Sequence, residues 1–281
     1  MIQSIEHWPV GIADQDGPLG PSPGRHYGRV VCWFSCGAAS AVAAKLALAH
    51  LGAEDIAIVR IHVANEHSDN ARFAADCERW FGRPIVIMQS SRYASAWEVW
   101  EKRRFLVGPQ GAPCTTEMKK AVRWEFEKDW NPDAQVFGYT AEERDRAARF
   151  RKQNPDVRLV TPLIDAGLTK ADCLAMVERA GITLPTMYAL GYQNNNCIGC
   201  VKGGPGYWNK IRRDFPDVFA RMAALERDIG HAVCKDTTGD RAPVFLDELP
   251  VGMGRHDETV PDCSLLCAMA EQDIAAVEAA Q

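Results

Sequence analysis

The chain has 281 residues, 47% of them hydrophobic and 25% charged, with a net charge of −5 and ten cysteines. That size suits one large α/β domain with an appendage, or two small domains, and the composition is that of a globular chain rather than a disordered one. No apolar run approaches the roughly 18 residues of a membrane span, and the mild acidity gives no global pull toward nucleic acid.

In chain order, residues 1–28 are rich in Gly and Pro and read as an irregular arm. No basic-then-apolar leader is visible there, so the expected location is cytoplasmic, with no membrane partner. Strands are expected at Arg29 to Phe34, Ile56 to Val63, Pro84 to Met88, Ala134 to Phe137 and Arg158 to Val160. Helical patterns occupy Ser40 to Leu51, Asp69 to Phe81, Tyr93 to Arg103, Thr115 to Trp130 and Ala141 to Gln153. The alternation predicts an α/β fold: a twisted parallel sheet with helices on both faces, over residues 29–165. From Pro162 onward come helices and Gly/Asn/Pro-rich loops, with one further strand at Val244 to Leu246. Residues 166–281 are therefore expected to form a C-terminal helical, cysteine-bearing region.

Four segments carry chemistry. The first is Ser35-Cys36-Gly37-Ala38-Ala39-Ser40, where an apolar strand meets an Ala/Leu-rich helix. A helix N-terminus with backbone N–H groups and two hydroxyls suits a phosphate. The segment is neither the Gly-x-x-x-x-Gly-Lys-Ser/Thr loop nor Gly-x-Gly-x-x-Gly. The bland alternative is a tight turn with Ser40 as N-cap. The second, Gly138-Tyr139-Thr140 followed by Glu142, Glu143 and Arg146, lies at another strand end, where parallel sheets bind ligands. By itself it is also the opening of a well-capped helix.

The third segment, Gly111 to Lys120, sets Cys114 before a helix whose N-cap is expected at Thr115. A helix N-terminus and the nearby Lys119 lower a thiol pKa, making Cys114 a candidate nucleophile or metal ligand. The fourth is Cys197-Ile198-Gly199-Cys200 among turn-forming residues, a knuckle that aims two thiolates at one point. Gly203-Gly204-Pro205 argues against the immediate helix of a redox dithiol, so metal is preferred. Cys263 and Cys267 supply a further pair. Cys197, Cys200, Cys263 and Cys267 would make a structural zinc site; Cys114, Cys197, Cys200 and one of Cys263 or Cys267 would make a 4Fe-4S site. Cys32, Cys77 and Cys173 read as core, and Cys234 as an outsider to both sets.

The first loop resembles the Ser-Gly-Gly-x-Asp-Ser loop of the PP-loop ATP-pyrophosphatase superfamily, with Ser35, Gly37 and Ser40 matching. Cys36 stands where the family has the first glycine of its pair, and Ala39 where it has Asp. Gly138, Glu142 and Arg146 resemble the Gly-x-x-x-Glu-x-x-x-Arg segment of the phosphoadenosine phosphosulfate reductase-like group, and Cys114, Thr115 and Lys119 its Cys-Thr-x-x-x-Lys segment. The reductase's Glu-Cys-Gly-Ile-His tail is missing.

The resemblance implies a Rossmann-like core that binds ATP or a related adenine nucleotide through Ser35 to Ser40, Gly138, Tyr139 and Arg146, with Asn65 near adenine or ribose. It implies sulfur-transfer catalysis by Cys114, Lys119, Glu142 and Glu143, the two carboxylates orienting Arg146 or a metal such as magnesium. It favours the 4Fe-4S cluster over zinc and a sulfur acceptor that is tRNA, DNA or a small molecule; an oligomer is compatible. The alternatives are a nucleotide-binding module with structural zinc and a divergent sulfonucleotide reductase. His62 is expected inside its strand. Trp80, Trp97, Trp100, Trp124 and Trp130 are expected in helix–sheet packing, and the clusters at Lys102 to Arg104, Lys119 to Arg123 and Arg144 to Lys152 on solvated helix faces.

Overall fold

The computed structural model describes residues 27–108, 111–237, 239–255, 257, 258 and 260. Strand β1 (Tyr27–Trp33) carries the run Val30-Val31-Cys32-Trp33, buried throughout, as a central parallel strand requires. It pairs in parallel with β2 (Ala53–Ile61) on one side and with β4 (Ala134–Val136) on the other. Beyond β2 lies β3 (Ile85–Met88), and beyond β4 lies β5 (Leu159–Val160). The order is β3-β2-β1-β4-β5. The chain winds outward from β1 in one direction and from β4 in the other, so the β1/β4 seam is the topological switch point.

Trp33 and Phe34, adjacent in sequence, face opposite sides of the sheet, as the two-residue period demands. Phe34 meets Phe73 and Phe81 of α2 (Asn70–Phe81). Trp33 packs edge-on against Phe126 and donates its indole N–H to Gln135 at 2.9 Å. Helices thus cover both faces. Helix α1 (Ala38–His50) buries eight of its thirteen residues, mostly alanines, and packs against α2. Its small side chains let α7 (Pro162–Asp165) and α8 (Lys170–Arg179) approach as well.

Element types agree with the sequence reading, and the boundaries shift for identifiable reasons. Tyr27 and Gly28 belong to β1 rather than to the arm. Helix α3 (Ala96–Arg103) starts after Tyr93 because Ser95 caps it, accepting the Glu98 N–H. The stretch expected as one helix from Thr115 is α4 (Pro113–Thr115), a π-helical turn (Thr116–Lys120) and α5 (Ala121–Trp130). Helix α6 (Arg144–Gln153) follows a 3-10 turn at Ala141–Glu143. The late strand is the pair β6 (Cys234–Lys235) and β7 (Pro243–Val244), antiparallel and two residues each.

The chain divides into two bodies. Residues 27–61, 69–88 and 126–185 form the body that holds the sheet. Residues 62–68, 89–125 and 186–260 form the second, whose core includes Trp97, Trp100, Met118, Met187, Tyr207 and Trp208. It also contains α9 (Thr186–Ala189), α10 (Pro205–Asp214) and α11 (Pro216–Ile229). A single boundary at residue 165 is therefore replaced by a discontinuous division. Two excursions leave the sheet, after β2 and after β3, and pack instead with the C-terminal helices.

Candidate functional site

In the first body, β1 keeps its ladder as far as Phe34, whose N–H donates to Val59 O at 2.8 Å. The chain then turns through Cys36 at φ +57°. That left-handed conformation costs a non-glycine residue roughly 1–2 kcal/mol. A left-handed backbone favours glycine, and here a residue with a thiol side chain adopts it. The thiol is fully buried, 3.7 Å from the Asn70 carbonyl oxygen.

Gly37 caps α1 with extended backbone, so Ser40 is the third helical residue and not the N-cap. Its hydroxyl donates to Gly37 O at 2.9 Å and accepts from the Ser35 N–H and hydroxyl, each at 3.1 Å. Ser40 thus cinches the loop from within. The first turn of α1, at Ala38, Ala39 and Ser40, directs backbone N–H groups out of the helix end, as every helix N-terminus does.

At the end of β4, Gly138 lies directly against that loop. A methyl group on it would sit 2.8 Å from Ser40 N and 2.9 Å from Ala39 C and Ser40 Cα. These are backbone atoms, so only glycine lets the two strand ends meet. The resemblance reserves this glycine for nucleotide approach; the structure uses its bare face to seat one loop on the other.

The residues after Gly138 are fixed by their own contacts. Tyr139 is buried and stacks on Phe137 at 6.0 Å between centroids. Thr140 and Glu143 form a capping box, a signature legible in the sequence as Thr-x-x-Glu. Glu143 also pairs with Arg146, whose guanidinium lies 5.2 Å over the Tyr139 ring. Glu142 accepts the Lys170 N–H at 3.2 Å and so ties the first turn of α8. Burial by itself would raise its pKa; hydrogen bonds from the Thr140 hydroxyl, its own N–H and the Lys170 N–H outweigh that and hold it below the ordinary value.

In the second body, Asn65 is buried and acts as a scaffold. Its side-chain oxygen accepts the N–H of Ala96, the first residue of α3, at 2.8 Å, and its carbonyl accepts the Ile198 N–H at 2.8 Å. It thus links the helix to the cysteine knuckle. Glu66 pairs with Lys119 at 3.8 Å. His62 lies just beyond β2, half-buried, rather than inside the strand.

Cys114 is the second residue of α4, with Ala112 as N-cap and Pro113 at the first position, so Thr115 is not the cap. The π-helical turn that follows is a form often found at functional sites. Within it, Glu117 is buried and bonds Arg103, with Arg92 at 3.6 Å. Lys120 and Arg123, expected on a solvated face, are 0% and 2% exposed. These two cations are therefore interior and not part of a surface patch. The sequence carried no signal for that, because Lys119, Lys120 and Arg123 read as an ordinary basic face.

The knuckle turns at Gly199, φ +74°, where a methyl group would lie 2.6 Å from Val218 Cγ1. The Gly203 N–H donates to Cys200 O at 3.0 Å. Cys200 is buried and Cys197 half-buried, and Cys197, Cys200 and Cys114 all pack on the second body's core. Two thiols on one tight, glycine-dependent turn fit a thiolate ligand pair. Among the described residues no three His, Cys, Asp or Glu form a group that could hold a metal ion, and Cys263 and Cys267 lie outside them. No described helix is long and apolar enough to cross a membrane.

No protein-family model and no curated protein matches the sequence. Among solved structures the chain is similar to the U34-tRNA thiolase NcsA from Methanococcus maripaludis with its 4Fe-4S cluster. The identity is 12%, over 82% of this chain and 82% of that one, with a TM-score of 0.43.

Proposed function

We propose that this chain is an adenine-nucleotide-dependent sulfur-transfer enzyme of the PP-loop type, in the phosphoadenosine phosphosulfate reductase-like group. The observation that carries the reading is the seam of Gly138 against Ala39 and Ser40, which joins two motif-bearing strand ends at the switch point of the sheet. The N–H groups of the first turn of α1 would hold nucleotide phosphates, with Arg146, paired with Glu143, as the planar cation. An acceptor oxygen attacks the α-phosphorus, pyrophosphate leaves, and a sulfur nucleophile then displaces AMP. Donors aimed at the phosphate oxygens stabilise the charge that develops in the first step.

Cys114 is proposed to present sulfur only as the alternative to the cluster doing so, with Lys119 as its neighbouring cation. Cys197 and Cys200, with Cys114 brought to them and Cys263 or Cys267 as the fourth ligand, are proposed to hold a 4Fe-4S cluster, since Cys114, Cys197 and Cys200 do not form a three-ligand group as they stand. Without that fourth cysteine, such a cluster would supply an open iron for sulfide.

Ala39, where the family has Asp, motivates an expectation: pyrophosphate release waits for the acceptor, with Glu142 or Glu143 supplying the carboxylate for magnesium. Pyrophosphate assays on the wild type, Glu142→Gln and Glu143→Gln test it. Rapid ATP hydrolysis without acceptor contradicts the waiting step, and undiminished turnover in both variants removes the carboxylate assignment. Ala39 also favours a second reading, a nucleotide-binding partner module with four-cysteine zinc. Anaerobically purified protein decides between them: brown with bound iron supports the enzyme, colourless with one zinc per chain supports the module.

A further inference from the structure

We propose that Tyr207 is a positioning residue for the Cys197–Cys200 thiol pair, holding the knuckle in its ligand-binding shape before any metal arrives. The inference rests on the reading of these two cysteines as metal ligands. The Tyr207 hydroxyl spans the turn: it donates to Cys197 O at 3.2 Å and accepts the Cys200 N–H at 2.9 Å. One side chain thereby bonds the backbone at both ends of Cys-x-x-Cys.

Three further features show that this placement is built in. The ring is buried, edge-on to Tyr192 at 5.9 Å and to Trp208 at 5.7 Å, so the hydroxyl has a fixed origin. Gly203 makes the passage: a methyl group there would lie 2.0 Å from Tyr207 Cδ1. Gly204 caps α10 and Pro205 opens it, which puts Tyr207 on the first turn of a rigid helix beneath the knuckle. The segment Gly203-Gly204-Pro205-Gly206-Tyr207 therefore works as one device, in which the glycines admit the ring and the helix aims the hydroxyl.

The chemical consequence concerns the Cys200 N–H. In a bare turn of this kind that donor would be available to solvent or to the Cys197 sulfur; here it is committed to Tyr207. The turn enters metal binding already ordered, so the ordering cost is not charged to the metal.

The test uses Co(II) alone as the probe, titrated into the reduced, metal-free full chain, wild type and Tyr207→Phe. The substitution keeps the ring and removes only the hydroxyl. Positioning predicts that Tyr207→Phe binds Co(II) five- to twentyfold more weakly, with an altered thiolate-to-cobalt absorption. A purely structural role predicts a lower melting temperature with unchanged Co(II) affinity and spectrum, which overturns the inference. Wild-type protein that shows no thiolate–cobalt absorption overturns the ligand-pair reading beneath it. Should Tyr207→Phe fail to fold, amide exchange at Cys200 in the metal-free wild type decides: slow exchange supports the hydrogen bond to Tyr207, and exchange at the rate of an open turn refutes it.

Discussion

The Ser40 hydroxyl makes its three hydrogen bonds inside the β1–α1 loop, to Gly37, the Ser35 N–H and the Ser35 hydroxyl. Ser40→Ala removes that cinch, and a lost hydrogen bond of this kind costs about 1–2 kcal/mol. ATP must then order the loop that Ser40 holds in the wild type, so the expected result is a roughly five- to thirtyfold loss of ATP affinity by calorimetry. Affinity unchanged in both Ser40→Ala and Gly37→Val would remove the loop from the site. Cys36 poses a different balance. Cys36→Gly relieves the left-handed backbone but gives up a buried thiol, so its stability should stay within about 1 kcal/mol of wild type. Cys36→Val places a β-branched side chain at φ +57° and should cost at least about 2 kcal/mol. Urea unfolding of the two variants checks the pair, and equal stability would refute the strain at Cys36. The loop was legible in the sequence as Ser-x-Gly-x-x-Ser. What that spacing did not show is that Ser40 works on the loop itself, because a hydroxyl's partner depends on where the helix begins.

At the scale of elements, Glu226 in α11 is fully buried and accepts the Val233 N–H at 2.5 Å and the Leu246 N–H at 2.7 Å. It anchors the loop that leads to β6 and the turn after β7. Burial pushes its pKa up to about 7, against the two N–H donors, with Asp247 adding to the rise. An unfolded glutamate titrates near ~4.3. Between those values the folded chain binds the proton and the unfolded chain does not. Stability therefore falls as pH rises from about 4.3 to about 7 and levels off above that. Glu226→Gln keeps an acceptor oxygen and loses the titration, so this part of the slope should vanish. Urea midpoints at about pH 5 and about pH 8 provide the comparison; a slope preserved in Glu226→Gln would refute the assignment. Helix and strand types were readable because apolar periodicity reports them. The π-helical turn at Thr116–Lys120 was not, since the apolar periodicity of Thr115 to Trp130 reports helix without distinguishing its form.

For the molecule as a whole, a ligand that binds only the folded chain raises its stability by mass action, about 2.7 kcal/mol at a hundredfold excess over Kd. ATP should therefore raise the melting temperature of the wild type, and at the same concentration raise that of Ser40→Ala by only about one-third to two-thirds as much. An equal shift in both would argue that ATP binds elsewhere. The metal question is also settled on the whole chain, because Cys263 and Cys267 lie outside the described residues. Cys263→Ser and Cys267→Ser should each be assayed for iron and zinc. Loss of metal in both variants favours the four-cysteine zinc set, and loss in one or neither favours the cluster with Cys114. Metal loss is expected to lower the melting temperature, since site formation and folding are coupled.

By itself the sequence determined the α/β class, the parallel strands and the identity of the motif-bearing loops. Those features follow from local patterning: apolar runs, glycine turns and capping residues act over a few neighbours and can be read in order. Tertiary structure alone decided the discontinuous division of the chain and the burial of Lys120 and Arg123. It also decided the meeting of Gly138 with the Ser40 backbone and the reach of Tyr207 across the knuckle. The physical reason is separation along the chain. Gly138 and Ser40 lie on different strand ends, and only the pairing of β1 with β4 brings them together. Bare glycine faces and buried charges take their meaning from atoms the linear pattern does not place.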